Sequence, residues 1–347
     1  LYASSSLTSS FWSSFFLLKK KVEMKQRLLR ILDNFKNKKI LVVGDIMLDK
    51  YIWGDVSRIS PEAPVQVVNV ARETYEPGGA SNVANNISAL DGRAFMVGIT
   101  GNDEANKILL EELEKKGIDT GGILIDKDKP TTQKVRIIGR SQQLLRVDYE
   151  KKEHIHQNIE HSMIAFLEKM IKDIDVVIIS DYAKGAITPQ VSNRLVQIAK
   201  ENNKVVIVDP KPKHLNLYSN VTLITPNNSE ASEMTGIEDG NEDAVLEMGS
   251  KLLKYLNSNV LITRGEKGMS LFEINGNVRH IHAKAREVYS LIGAGDTVVA
   301  AIALALASGA SLEEAATLAN IAAGIKVSKM GTASVSIDEI KNGIEEL

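Results

Sequence analysis

The chain has 347 residues, a formal net charge of −2 and no cysteine. That length supplies one large α/β domain or two smaller ones with ample core. Mixed charges argue against nucleic acid or a membrane surface, absent thiols exclude disulfides and thiolate metal sites, and no apolar run is long enough for a bilayer span. A reducing cytoplasm is the expected setting.

Residues 1–23 run Ser-rich, then aromatic (Phe11, Trp12, Phe15, Phe16), then basic (Lys19, Lys20, Lys21). A secretory signal has the opposite order, and the first Met is Met24. This stretch is expected to be a non-native or disordered leader, so the fold argument covers 24–347.

Lys25 to Phe35 carries apolar residues at helical spacing. Lys39 to Gly44 is a short continuous apolar run, the pattern of a strand buried on both faces. It places Asp45 and Asp49 beyond its carboxyl edge, where open α/β sheets bind ligands. No G-x-G-x-x-G follows, which argues against a dinucleotide fold. Tyr51 to Val70 reads as short antiparallel strands standing off the main sheet. Gly78-Gly79-Ala80-Ser81-Asn82 is a glycine turn opening a helix to about Leu90. It serves either helix entry alone or close approach to a hydroxylated ligand held by Asn82. Ala94 to Ile99 is a strand, and Glu104 to Lys116 a helix stopped by Gly117. Thr131 to Tyr149 reads as a hairpin turning at Gly139-Arg140-Ser141. With Tyr51 to Val70 it makes a small sheet, a natural lid, so lid segments are expected near 50–72 and 131–149.

Regular alternation follows. Helices His154–Lys172, Pro189–Glu201, Ser229–Thr235 and Glu242–Leu256 are interleaved with strands Val176–Ser180, Val205–Val208, Val221–Ile224 and Asn259–Thr263. This implies parallel strands with helices on both faces. Polar clusters after these strands (Asp181 to Gly185, Asp209 to Lys211, Pro226 to Glu230, Arg264-Gly265) share one sheet edge and converge on one cleft. One domain plus a lid is expected.

Ser290 to Thr297 then opens into the apolar run Val298 to Ala307. Backbone N–H groups collect at Gly293, Ala294 and Gly295, where a helix N-terminus favours an anion. Asp296 repels phosphate but suits a general base, so the stretch reads as a phosphotransferase site. The alternative is a tight turn with Asp296 as a helix cap. Ser311-Leu312-Glu313-Glu314 is a capping box opening a last Ala-rich helix to about Lys329. Glu230 suits Mg²⁺ held through water, and Asn227 suits either phosphate contact or a helix N-cap. Lys184 and Lys211 are candidate phosphate partners or solvated surface charges. No Walker sequence occurs, and the histidine pairs His154/His156 and His280/His282 lack metal-ligand spacing.

Gly78-Gly79-Ala80-Ser81-Asn82, Asn227-x-x-Glu230 and Gly293-Ala294-Gly295-Asp296 together resemble the signatures of the ribokinase (phosphofructokinase-B-like) sugar kinase family over roughly residues 36–335. Residues 44–51, 54–65, 130–136 and 142–146 resemble its heptose 7-phosphate kinase branch. The resemblance implies a ribokinase-like open, mostly parallel sheet with helices on both faces plus a small β-sheet lid. It also implies an ATP- and Mg²⁺-dependent kinase making a sugar 1,7-bisphosphate for lipopolysaccharide-core heptose precursors. Asp296 is then the base, and Gly293, Ala294 and Gly295 the anion hole. Asn227, Asn228, Ser229, Glu230, Lys211, Arg264 and Gly265 fall to nucleotide and metal. Asp45, Asp49, Gly78, Gly79, Asn82, Arg146 and Lys184 fall to the sugar phosphate, with Arg58 and Arg140 to Arg146 able to reach the 7-phosphate. Ser290 and Ile292 depart from the family's Asp-x-Thr, whose Asp helps a monovalent cation order the anion hole. K⁺ activation is therefore expected to be weak or absent. The apolar lid positions Val65, Val67 and Val70 suggest a homodimer through the lid.

Overall fold

Described in this computed structural model are residues 19, 21–140, 142–284, 287–329 and 333–347. Most of the expected leader, and Ser141 of the expected turn, therefore lie outside the described residues. In chain order the strands are β1 (Lys39–Gly44), β2 (Ile46–Ile59), β3 (Gln66–Gly79), β4 (Arg93–Thr100), β5 (Asp119–Ile125), β6 (Thr132–Gly139) and β7 (Gln142–Tyr149). They continue as β8 (Val176–Ser180), β9 (Val205–Asp209), β10 (Leu223–Ile224), β11 (Asn259–Thr263), β12 (Met269–Phe272) and β13 (Val278–Ile281). The helices begin with α1 (residues 21–33), α2 (Ala80–Ala89), α3 (Glu104–Lys115), α4 (Gln157–Met170) and α5 (Pro189–Glu201). After these come α6 (Asn228–Thr235), α7 (Glu242–Leu256), α8 (Ala294–Ala307), α9 (Leu312–Val327) and α10 (Ile337–Glu345).

Nine strands form the larger sheet in the order β13-β12-β11-β10-β9-β8-β1-β4-β5. All neighbours pair parallel except β11 with β12 and β12 with β13. The parallel strands are buried on both faces, as β1 demonstrates. Its Ile40 and Val42 point into one core with α1, α2, α3, α8, α9 and α10, while Leu41 and Val43 point into the other with α4 to α7. The strand order reverses around β1, which lies between β4 and β8. In such sheets the crevice at that reversal is where ligands bind. Gly44 closes β1 against β8, since a Cβ there would stand 2.0 Å from the Ser180 carbonyl oxygen.

The smaller sheet runs β3-β2-β6-β7, with β2 and β6 parallel and the other pairs antiparallel. Here the expected short strands are each 14 residues long. β2 begins at Ile46, so Asp49 lies inside a strand rather than in a loop. Sequence pattern hid this because a carboxylate interrupts the apolar run. Arg136 on β6 compensates it at 2.8 Å, and both side chains are largely buried. β5, β12, β13 and α10 had no counterpart in the pattern reading, β5 because Gly121 and Gly122 break its β signal.

Candidate active site

α8 is apolar and buried from Val298 to Ala305, so it packs within the core and presents its N-terminus at the carboxyl edge of the sheet. Gly293 caps it at φ 75°, and a Cβ there would meet Asn82 Nδ2 at 2.8 Å. Nothing lies within 4 Å of a Cβ built on Gly295, so that backbone is open to a ligand. Asp296 is 7% exposed in the first turn. Its carboxylate accepts from Asn82 Nδ2 at 2.6 Å and from the Tyr182 hydroxyl at 2.8 Å. α2 holds Asn82 in place: Asn86 Nδ2 donates to the Asn82 carbonyl at 2.8 Å, and the Thr297 hydroxyl donates to Asn86 Oδ1 at 2.9 Å. Burial pushes the Asp296 carboxyl above the ordinary carboxylate range, against the two hydrogen bonds, and the Asp49 charge adds to the rise.

Tyr182 belongs to the loop after β8. Asp45 shapes that loop by accepting from the N–H groups of Tyr182 (2.8 Å), Lys184 (3.0 Å) and Ala186 (3.0 Å). Lys134 and Lys211 approach the Tyr182 ring at 5.4 and 5.6 Å. Burial and the Asp296 charge drive the Tyr182 hydroxyl well above its usual range, so it stays a donor. Lys326, 1% exposed, packs behind Gly293.

A cavity of about 170 Å³ opens beside Asp296. Tyr182, Asp209, Lys211, Asn227, Glu230 and Gly295 are among its lining. Asn227 caps α6 by accepting from Glu230 N–H at 2.9 Å, and Glu230 Oε2 accepts from Asn227 N–H at 3.0 Å. Glu230 Oε1 accepts from Lys211 Nζ. Burial, then repulsion from Asp296 and Glu230, push the Asp209 carboxyl well above its ordinary value. A second, smaller cavity is lined by Asp45, Thr100, Lys129, Thr132, Lys151 and Lys184.

The sequence-derived residues divide accordingly. Gly293, Gly295, Asp296, Asn227, Glu230 and Lys211 surround one cavity, with Asn82 bonded to Asp296 and Ala294 the next residue of the same turn. Asn228 and Ser229 follow in the first turn of α6. Asp45 and Lys184 line the second cavity, Lys184 paired with Glu150. Gly78 packs against the Asp49 carboxyl, and a Cβ on Gly79 would meet the Asp45 carbonyl oxygen. Arg264 lines neither cavity: it donates to Ser270 and pairs with Glu242, with Gly265 next to it at φ 57°. Arg146 makes a two-pronged pair with Asp148 on the surface of β7 at 2.9 and 3.0 Å. Arg58 and Arg140 are exposed on the smaller sheet. Ser290 is tied to α9 through its N–H and the Val327 carbonyl at 3.2 Å. Tyr182 and Asp209 enter the sequence reading only as members of strand-end polar clusters and with no role, and Lys134 and Lys326 are assigned none either. For Tyr182 and Asp209 the available signal was a polar residue at a strand end, whereas Lys134 and Lys326 sit in ordinary strand and helix patterns.

A buried carboxylate with two donors, beside open backbone amides and an oxygen-rich cavity, can take a proton from a hydroxyl while amides stabilise a transferring phosphoryl group. A model of the pfkB family of carbohydrate kinases matches residues 37–339. A relative from Desulfatibacillum aliphaticivorans, bifunctional protein HldE, is 43% identical over 313 residues, covering 90% of this chain and 64% of its own length. The bifunctional protein HldE of Wolinella succinogenes is 45% identical, covering 87% and 63%. The chain thus spans less than two thirds of the curated relatives it matches. Arabidopsis thaliana ribokinase, solved with ribose and ATP, is similar at TM-score 0.71 and 21% identity, covering 89% of this chain and 99% of its own. Escherichia coli phosphofructokinase-2 gives TM-score 0.72 and 20% identity, covering 90% and 99%. These likenesses show the fold, a ribokinase-like α/β sheet with a smaller separate sheet.

Proposed function

The chain belongs to the pfkB family of carbohydrate kinases, and we propose that it transfers the γ-phosphoryl group of ATP to O1 of D-glycero-D-manno-heptose 7-phosphate. The observation that carries the phosphotransfer reading is Asp296, a buried, hydrogen-bonded carboxylate at the open N-terminus of α8. Asp296 takes the proton of the sugar hydroxyl at one carboxylate oxygen, held in line by Asn82 and Tyr182. The amides of Gly293 and Gly295 face the charge of the moving phosphoryl group, that of Ala294 being given to the Leu291 carbonyl at 3.3 Å, and the Lys211 ammonium sits on the same cavity. The smaller sheet is read as a lid that excludes water from the cleft.

The residues present fit a magnesium nucleotide. Asp209, Glu230 and Asn227 offer oxygen ligands on one wall, beside the Lys211 ammonium, a donor set that suits a hard cation and phosphate oxygens. Asp209 and Glu230 would hold Mg²⁺, Glu230 through water. Bound there, the ion neutralises charge on the phosphate oxygens.

The heptose phosphate rests on the resemblance of residues 44–51, 54–65, 130–136 and 142–146 to the heptose 7-phosphate kinase branch. The second cavity, of about 10 Å³, has Lys129, Lys151 and Lys184 on its wall, already held by Glu153, Asp128 and Glu150 respectively, and the Thr100 hydroxyl there is buried without a partner among the described residues. Arg146 is likewise engaged, by Asp148, so a distal phosphate must displace one of these contacts to bind. The test is ADP release with Mg-ATP across heptose 7-phosphate, fructose 6-phosphate, ribose and sugar-free buffer. Turnover confined to the heptose phosphate supports the reading; turnover confined to another sugar discards the substrate and keeps the kinase.

Two further expectations belong here. Ser290 supplies a hydroxyl where the family carries a carboxylate, so rates in K⁺ and in tetramethylammonium are expected to agree within about twofold, less than a single charged hydrogen bond contributes. A large K⁺ stimulation contradicts it. Ile59, Val65, Val70, Leu145 and Tyr149 of the smaller sheet or its connections are each more than half exposed. Two copies pairing these surfaces would form a dimer. Light scattering at micromolar concentration should give twice the chain mass, and a monomer removes the proposal.

A further inference from the structure

We propose that Asp126, Asp128 and His156 form a divalent-cation site, of the kind that takes Zn²⁺, separate from the catalytic cleft. Asp126 and Asp128 follow β5, and His156 is the residue from which α4 starts. One donor atom from each lies within 4.8 Å of the others. Sequence spacing conceals the group, because His156 stands 30 positions from Asp126 and only the fold joins them.

The independent observation is the state of Asp126. Its residue is 1% exposed, its Oδ1 accepts from Asp128 N–H at 3.0 Å, and its Oδ2 is buried with no hydrogen-bond partner among the described residues. A buried carboxylate oxygen without a donor is costly, and a cation is the group that completes it. The other two ligands are solvent-facing, with His156 Nε2 3.4 Å from Asp128 Oδ2, so an ion can enter. Two lysines lie nearby, but both ammoniums are spent on carbonyl oxygens, Lys129 on Glu153 and Lys151 on Asp128. The Lys129 charge still attracts Asp126 from a distance without supplying the missing donor.

Ligand chemistry selects the ion. Two carboxylates with one imidazole suit a borderline metal in a site of three protein ligands plus water, while Mg²⁺ and Ca²⁺ favour all-oxygen shells. Bound, the ion ties the segment after β5 to the start of α4. That segment runs into Lys129 and Pro130, which line the second cavity with Lys151. The cation would thus brace the pocket wall without entering the phosphoryl-transfer step.

The test is calorimetric titration of chelator-stripped, full-length protein with ZnCl₂ in millimolar Mg²⁺, without nucleotide or sugar, so that it stands apart from the kinase reading. The expected result is one Zn²⁺ per chain and a Zn²⁺-dependent rise in Tm. His156→Ala and Asp128→Asn should each weaken binding about tenfold or more, at least the loss seen when a residue that only supports a metal ligand is changed. Both side chains are more than half exposed, so these variants keep the wild-type Tm without zinc; Asp126→Asn serves as the buried third. Equal binding by wild type and both surface variants would assign the zinc to other histidines and overturn the site. Absence of binding, or displacement by millimolar Mg²⁺, overturns it equally.

Discussion

Asp296→Asn is expected to lower kcat by about 10²- to 10⁴-fold, the range a positioned general base contributes. Nucleotide affinity should survive, because the cavity wall formed by Asn227, Glu230 and Lys211 does not depend on the Asp296 charge. The substitution keeps the size of the side chain and lets an amide oxygen accept from Asn82 or Tyr182, so loss of fold is not the cause. Turnover within tenfold of wild type would remove Asp296 from the role of base.

The pH profile carries the same argument further. The base works only when ionised, and burial raises its pKa, so the acid limb of kcat/KM should lie above the ordinary carboxylate range. The Tyr182 hydroxyl donates to the ionised form and therefore lowers that pKa. Tyr182→Phe removes the donor, and the limb should move to higher pH. Stability follows the opposite sign from a salt-bridged carboxylate. A group whose folded pKa lies above its unfolded value binds protons more tightly when folded. Its stabilising contribution is complete below the unfolded value and is lost as pH rises through the folded one. Asp296→Asn lacks that loss, so its Tm should exceed wild type at pH 8 and match it more closely at pH 4.

Much of the larger sheet was legible because buried parallel strands are short apolar runs closed by polar residues. β1, β8 and β11, with α5 and α7, begin and end where the pattern places them. The Gly293 to Asp296 turn was legible for a related reason, since a glycine turn ahead of an all-apolar helix leaves few readings. What escaped was tertiary. Tyr182 reaches Asp296 from a loop after β8 whose amides at Tyr182, Lys184 and Ala186 donate to the Asp45 carboxylate. Lys326 looks like an ordinary position in an Ala-rich helix until α9 brings it behind Gly293. Arg264 reads as ligand-facing from its place at a strand end, yet its two terminal nitrogens go to Ser270 and Glu242, leaving Nε buried without a partner among the described residues. Strand-end position says where a residue sits, and the neighbouring elements decide what it touches.

Asp49 is the residue for which that distinction has the largest energetic consequence. Its pair with Arg136 joins β2 to β6 at 2.8 Å with side chains only 8% and 10% exposed. Arg136 also stacks over Tyr51 at 5.2 Å. Asp49→Ala leaves a guanidinium buried without its carboxylate and should cost about 3–5 kcal/mol, read from urea unfolding. Replacing both partners, Asp49→Leu with Arg136→Met, removes the unpaired charge and should recover most of that loss, since apolar pairs of similar volume substitute well for buried ion pairs. The double variant also separates architecture from chemistry. Asp49's negative charge contributes to the raised Asp296 pKa, so its removal should move the acid limb of kcat/KM to lower pH while stability returns. A limb that stays in place would make the pair purely structural. A double variant no more stable than Asp49→Ala would show that the sheet depends on the ion pair itself rather than on freedom from unpaired charge.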